Sequence, residues 1–142
     1  MATKPYREET SVFYSVHKNR SYLNDELARS VAAALVGSGY GNAKKRFPLL
    51  TGQDCIAVNM KAMIAGRQSM SVFKDTRALA ERAADMVLAM LDGKPVAVDK
   101  GAAYDNGVKK VQTSLCAPVS VDLTNYRSVL IDSNYYKQSE LE

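Results

Sequence analysis

Apolar and polar positions in the first two thirds of the chain alternate between short apolar runs and longer stretches of helical periodicity. The short runs predict strands at 47–51 and 69–73, with a shorter strand at 21–23. Each is followed by a predicted helix, and strand–helix steps in series are typical of parallel sheets. The predicted fold class is therefore α/β, a parallel sheet with helices on both faces.

Helix boundaries and buried faces follow from caps and spacing. Asn24-Asp25 caps the first predicted helix, Gly52-Gln53-Asp54 forms a turn before the second at 55–65, and Asp75 or Thr76 caps the third. A turn at 105–107, extended segments at 108–116 and 119–121, and a short helix from Thr124 to Leu130 complete the chain. The predicted inward stripes are Leu27, Val31 and Leu35, then Ile56, Met60, Met63 and Ile64, then Leu79, Ala83, Met86, Val87 and Met90.

Polar side chains follow all three predicted strands. Asn24, Asp54 and Lys74 each stand where a strand leads into a helix, which is where open parallel sheets bind ligands. An amide, a carboxylate and an ammonium together suit a polyhydroxylated, uncharged ligand. Taken singly, Asn24 and Asp54 are also ordinary helix caps and Lys74 an ordinary surface lysine. Their coincidence at one edge favours a binding site.

Composition and charge argue against several other functions. The chain has 142 residues with 46% apolar content, which fits one core or one lobe, and we expect no membrane span. The net charge of +4 comes from scattered cations, so no nucleic-acid partner is predicted. Two cysteines, Cys55 and Cys116, and the single His17 offer no metal or cofactor site. Free thiols are favoured over a Cys55–Cys116 disulfide, which stays open.

Five segments of the chain form a specific series of motifs. They are Asn24-Asp25-Glu26-Leu27-Ala28, Thr51-Gly52-Gln53-Asp54, and the segments 65–77, 104–109 and 135–141. Taken together over residues 22–141, they resemble the C-terminal half of periplasmic sugar-binding proteins. The branch they resemble is that of multiple-sugar-binding and xylose-binding proteins, whose members serve ABC importers.

The resemblance implies one lobe of a type I periplasmic-binding fold, in which two α/β lobes joined by a three-strand hinge hold a sugar. By this analogy Asn24, Asp54 and Lys74 contact the sugar, Gln53 neighbours the site, and 116–118 is a hinge crossing. It implies an aldose ligand such as xylose, glucose, galactose or arabinose, bound without chemistry in the periplasm. The implied protein partners are an ABC permease and a chemoreceptor or sensor kinase.

The chain also departs from that family. Residues 1–20 match poorly, no export signal is recognisable, and the N-terminal lobe is absent, so we expect a C-terminal lobe over 21–142. Cys55 stands where the family usually has alanine. A lone lobe would leave the strands at 108–115 and 119–121 unpaired, which predicts self-association. The alternative is that the C-terminal segment folds back over this edge and the chain stays a monomer.

Two other functions remain open at the level of sequence. One is the sugar-sensing domain of a lactose-repressor-type regulator, which has the same fold but would need a helix-turn-helix that is not found. The other is a small α/β enzyme acting on a sugar. It would need a nucleophile, base or metal cluster, and none is recognisable.

Overall fold

A computed structural model describes residues 19–20, 24–99, 101 and 103–142. These fall into two compact units, one running through Phe73 and resuming over Ser120–Glu142, the other Lys74–Val119. In chain order the elements are β1 (Asn19–Arg20), α1 (Asp25–Gly37), β2 (Leu49–Gln53), α2 (Ala57–Ile64), β3 (Met70–Phe73), α3 (Thr76–Leu91), β4 (Ala103–Asp105), β5 (Lys110–Gln112), β6 (Val119–Val121), a π-helical turn (Arg127–Ile131) and α4 (Gln138–Leu141).

The first unit is built on a four-stranded sheet in the order β1-β2-β3-β6. β1 and β2 are parallel, and so are β2 and β3, with Gly52 opposite Ser71 and Gln53 opposite Val72. This confirms the predicted α/β class and the parallel pairing of the second and third strands. The predicted strand at 21–23 lies outside the described residues, and the first observed strand is Asn19–Arg20.

The second strand begins and ends two residues later than the predicted strand at 47–51, because β2 is Leu49–Gln53. Gly52 and Gln53, expected in a turn, are the last residues of β2. Helix α2 in turn begins at Ala57 rather than at residue 55, because Asp54 and Cys55 have φ values of 100° and 50°. Such left-handed backbone cannot be part of a right-handed helix. Gly66 does follow this helix at φ 73°, as predicted for its end.

The buried helix faces also differ from the predicted stripes. Helix α1 buries Asp25, Ala28 and Ala32. Of the predicted stripe, Val31 is partly buried against the alanines, whereas Leu27 is 47% exposed. The alanines pack against Leu50 of β2, so small side chains form the helix–sheet contact. Met60 and Met63 are buried as predicted, whereas Ile64 is exposed. Helix α3 has no buried residue, so its predicted stripe is wrong.

Two hydrophobic clusters stabilise the first unit. The smaller joins Ala28 and Ala32 to Leu50. Side chains alternate along a strand, so Leu50 and Gly52 share a face with Ser71 and Phe73, their neighbours in β3. Helices α1 and α2 both pack on that face. The larger cluster contains Cys55, Met60, Met63, Phe73, Val121, Leu130 and Leu141.

The C-terminal segment closes the larger cluster. The helix expected to be capped by Thr124 is instead the π-helical turn Arg127–Ile131, and the Thr124 backbone N–H donates to Asp122 in the turn before it. Helix α4 then returns Leu141 to the core. The rings of Tyr135 and Phe73 pack edge to face, with 4.7 Å between their centroids.

The second unit consists of α3 and a two-stranded hairpin. Asp75 caps α3 by accepting from the Arg77 backbone N–H. The predicted turn at 105–107 joins the antiparallel strands β4 and β5, with Gly107 at φ 82°. Arg82 of α3 donates to Ser114, which connects the helix to the segment after the hairpin.

Among the described residues, no helix combines the length and the apolar character required to cross a membrane.

Candidate functional site

Asn24 lies at the start of α1 and is half-buried. Its Oδ1 accepts the Leu27 backbone N–H at 3.0 Å, which is the standard side-chain cap of a helix. The side-chain oxygen is thus used in folding, and the Nδ2 amide is the group that Asn24 can offer to a ligand. Capping and ligand contact are compatible in this residue.

Asp54 directly follows β2 and is half-buried in a left-handed turn with Cys55. Two successive non-glycine residues with positive φ cost on the order of 1–3 kcal/mol each, so the surrounding contacts must hold the turn. The Asp54 N–H donates to the Val72 carbonyl at 2.8 Å, and the Cys55 N–H donates to Ser71 Oγ at 3.1 Å. The Tyr136 hydroxyl donates to the Cys55 carbonyl.

Asp25 connects the Asn24 end of α1 to this turn. Its Oδ2 accepts the Ile56 N–H at 3.0 Å, while its Oδ1 accepts Ser71 Oγ and Gln68 Nε2, each at 2.8 Å. Asn59 Nδ2 donates to the Asp25 carbonyl and to Gln68 Oε1. The Asp25 network, defined as Asp25, Asn59, Gln68 and Ser71, therefore joins segments 24–25 and 54–56 at the carboxyl edge of the sheet.

Burial governs the ionisation of this region. Asp25 is 1% exposed, and desolvation raises its pKa, although the hydrogen bonds from Gln68, Ser71 and Ile56 act in the opposite direction. Desolvation also raises the pKa of the Cys55 thiol to about 12, so this thiol is protonated near neutral pH.

Close packing requires glycine at position 52. A Cβ added there would lie 2.0 Å from Asp25 Oδ1 and 2.8 Å from Gln68 Nε2. These separations are far inside van der Waals contact, so the carboxylate occupies the space that a side chain at position 52 would fill. The motif Thr51-Gly52-Gln53-Asp54 thus contains the opening into which Asp25 fits.

The remaining predicted site residues flank the strand ends. Gln53 is the last residue of β2 and leaves the sheet on the face opposite Gly52. Lys74 follows Phe73 of β3 directly, is half-buried, and is the first residue of the second unit. The structure brings the Asn24 and Asp54 segments together, and the ligand roles of all four residues stay predictions.

One cavity of the first unit lies away from these residues. It has a volume of about 780 Å³ and is lined by residues between α1 and β2 and between α2 and β3, among them Tyr40, Arg46, Phe47 and Arg67. These segments lead into the amino ends of the strands, and none of the predicted site residues lines the cavity.

Within the described part of the chain, no group of three or more His, Cys, Asp or Glu side chains is arranged to hold a metal ion. Cys55 and Cys116 are both free, as favoured from the sequence.

The sequence interpretation missed the Asp25 network. The sequence places Asp25 beside Asn24 at the helix cap and Gly52 in a turn, and it indicates no further role for either. Asp25 and Ser71 are 46 positions apart, so no local spacing reveals their contact. One local signal was present in the sequence. Gly52 directly precedes Gln53-Asp54 at the end of a mainly apolar run, and a glycine there indicates that another group approaches the strand closely.

Comparison with known proteins gives the family. The periplasmic binding protein domain matches residues 20–95. The multiple sugar-binding periplasmic receptor ChvE of Rhizobium radiobacter is 44% identical over 118 residues, which are 83% of this chain and 33% of that protein. The D-xylose-binding periplasmic protein of Escherichia coli K12 is 30% identical over 118 residues, again 83% of this chain and 34% of that protein. The chain thus spans about a third of the length of these relatives.

Solved structures agree with this assignment. An ABC transporter solute-binding protein from Clostridium phytofermentans, determined with bound β-D-glucose, superposes with a TM-score of 0.75 at 39% identity. The match covers 96% of this chain and 43% of that protein. The likeness is therefore one of sequence and of fold together.

Proposed function

Because this chain belongs to the periplasmic binding protein domain family, we propose that it is the C-terminal, sugar-binding lobe of the solute-binding component of an ABC sugar importer. The proposed ligand is a monosaccharide, an aldose such as glucose, xylose, galactose or arabinose. It is held by hydrogen bonds and released unchanged. The proposed cellular location is the periplasm, as in the names of the relatives described above.

The proposed contacts use groups matched to sugar hydroxyls. The Asp54 carboxylate accepts from two neighbouring hydroxyls, the Asn24 amide donates, and the Lys74 ammonium donates to a ring or hydroxyl oxygen. Gln53 neighbours these groups. The observation that carries the proposal is the joining of the Asn24 and Asp54 segments through Asp25 at the carboxyl edge of adjacent parallel strands.

The partners of such a lobe follow from the same proposal. They are an ABC permease, a chemoreceptor or sensor kinase, and, for this chain by itself, a second copy. No nucleic acid is among them, because the positive charge is modest and scattered. A single lobe encloses only part of a sugar, so we expect weak binding, with dissociation constants in the millimolar range or above.

Backbone amide NMR spectra recorded during titration with D-glucose and D-xylose test this proposal. We expect shifts concentrated at residues 24–26 and 53–56, and their loss in Asp54→Asn. The matched control Asp132→Asn changes an exposed carboxylate of the same unit and leaves the shifts intact. L-Glucose has the same hydroxyl groups in mirror-image arrangement. Equal shifts with L-glucose, or no shifts with any aldose, would contradict the proposal.

A further inference from the structure

The turn that carries Asp54 has three consecutive backbone N–H groups, and all three are bound to partners outside the turn. The Asp54 N–H donates to the Val72 carbonyl, the Cys55 N–H to Ser71 Oγ, and the Ile56 N–H to Asp25 Oδ2. Ser71 Oγ itself donates to Asp25 Oδ1. Two of the three N–H groups therefore depend on one carboxylate, directly or through Ser71.

This dependence matters because the turn is strained. Asp54 and Cys55 have φ values of 100° and 50°, which non-glycine residues adopt only when their surroundings impose them. Asp25 is buried and accepts three hydrogen bonds. Hydrogen bonds to a buried charged acceptor are among the stronger ones in proteins. The carboxylate is thus well suited to hold the left-handed turn.

We propose that Asp25 is the positioning residue of the sugar site, which fixes the Asp54 turn in its left-handed form and holds Asn24 and Asp54 as one pre-oriented pair. Asp25 does not contact the sugar. Its backbone follows Asn24 and its side chain reaches the turn, so the two ligand groups belong to the same hydrogen-bonded unit. This inference rests on the proposed function of the site.

The isosteric change Asp25→Asn separates this role from packing. An asparagine keeps the shape but offers one acceptor atom, so an NH₂ group must face either the Ile56 N–H or the pair Ser71 and Gln68. In the first orientation the Ile56 N–H loses its acceptor, and in the second Gln68 Nε2 loses its acceptor and Ser71 Oγ loses the acceptor of its own proton. The apolar core is unchanged in both. Two variants serve as controls. Glu26→Gln makes the same kind of change at an exposed neighbour in the first helical turn, and Val121→Ala shortens a buried side chain that makes no hydrogen bond to the network.

The test combines D-glucose titration by NMR with two measurements on the free protein, the hydrogen exchange of the Ile56 amide and the three-bond HN–Hα couplings of Asp54 and Cys55. We expect Asp25→Asn to weaken glucose binding by about tenfold or more, to speed exchange at Ile56 and to change both couplings. Glu26→Gln should leave all three unchanged. Val121→Ala should lower the melting temperature and leave the dissociation constant and couplings unchanged.

Wild-type glucose affinity in Asp25→Asn overturns the inference, as does an equal loss in Val121→Ala. If the unaltered chain binds no aldose, the proposed function fails, and the couplings still decide the structural part. Unaltered couplings in Asp25→Asn would show that Asp25 does not fix the turn.

Discussion

Asp25 binds its proton more tightly in the folded chain than in the unfolded one, because burial raises its pKa above the ordinary 3.8. Ionising Asp25 therefore costs stability as the pH rises from 3.8 through the folded pKa. The half-buried Asp75 behaves in the opposite way, because its partner Arg77 lowers the pKa of that carboxyl. Its contribution to stability is lost as the pH falls through the folded pKa. The pH dependence of the unfolding free energy of the whole protein is the sum of such opposing contributions.

Comparing the protein with Asp25→Asn isolates the slope of Asp25. We expect the difference in unfolding free energy, wild type minus variant, to fall as the pH is raised from 3.8 and then to level off. Urea unfolding followed by circular dichroism at several pH values measures this difference. A difference that rises with pH would mean that the hydrogen bonds lower the pKa of Asp25 by more than burial raises it.

Gly52 supplies a second prediction at the scale of single residues. Gly52→Ala places a methyl group 2.0 Å from Asp25 Oδ1, so the carboxylate or the strand must move. We expect a loss of about 1–3 kcal/mol in unfolding free energy, typical of overpacking. Adding Asp25→Ala should relieve the clash, so the double variant should be more stable than the sum of the single effects predicts.

Gly37→Ala is the matched control for that substitution. Gly37 is the last residue of α1, and a Cβ there meets nothing within 4 Å. We expect no loss of stability, and a gain of up to about 1 kcal/mol from the reduced freedom of the unfolded chain. Equal losses in both variants would indicate that close approach is not what requires glycine at position 52.

At the scale of elements, helix α1 depends on Asn24 for its first turn, and the proposed site uses the same residue. Serine caps a helix about as well as asparagine but has no amide. We therefore expect Asn24→Ser to keep the thermal stability and lose glucose-induced NMR shifts. Asn24→Ala should lose the shifts and also about 1 kcal/mol of stability. Retained shifts in the serine variant would show that the amide does not contact the sugar.

The elements also show what could be predicted from sequence. The order of strands and helices from residue 47 to residue 93 follows from alternating periodicity, and β2 and β3 bury alternate side chains, although α3 buries none. The limits of β2 and the buried face of α1 do not follow from periodicity, because they depend on Asp25 entering the space beside Gly52. Asn24 and Asp54 could be selected from their positions after strands. The Asp25 network could not, because its members are far apart in the chain and meet only through the strand register.

At the scale of the whole molecule, exposed apolar side chains predict self-association. Helix α3 leaves Val87, Leu88, Met90 and Leu91 at 54%, 58%, 68% and 78% exposure, and the nearby hairpin exposes Val108. Strands β5 and β6, expected from the sequence to be unpaired, pair with β4 and β3. The prediction therefore rests on the apolar surface, which favours association between chains. We expect sedimentation equilibrium at micromolar concentration to show species heavier than the 15.5 kDa chain.

Changing the surface of α3 tests where the chains meet. The double variant Leu88→Lys and Leu91→Lys should shift the equilibrium toward the monomer, whereas Glu81→Lys, at a polar position of the same helix, should shift it much less. A single species of 15.5 kDa at every concentration would contradict self-association of the unaltered chain.

The contrast between the two cysteines has a practical consequence for labelling. Cys55 is fully buried and protonated near neutral pH, whereas Cys116 is partly exposed, and these are the two cysteines of the chain. A maleimide dye reacts with an accessible thiolate, so it should attach to Cys116 alone while the protein is folded. Residues 116–118 are the segment that the family resemblance assigns to a hinge crossing. The chain therefore has its own single attachment point for a fluorescent reporter, and no cysteine has to be added or removed.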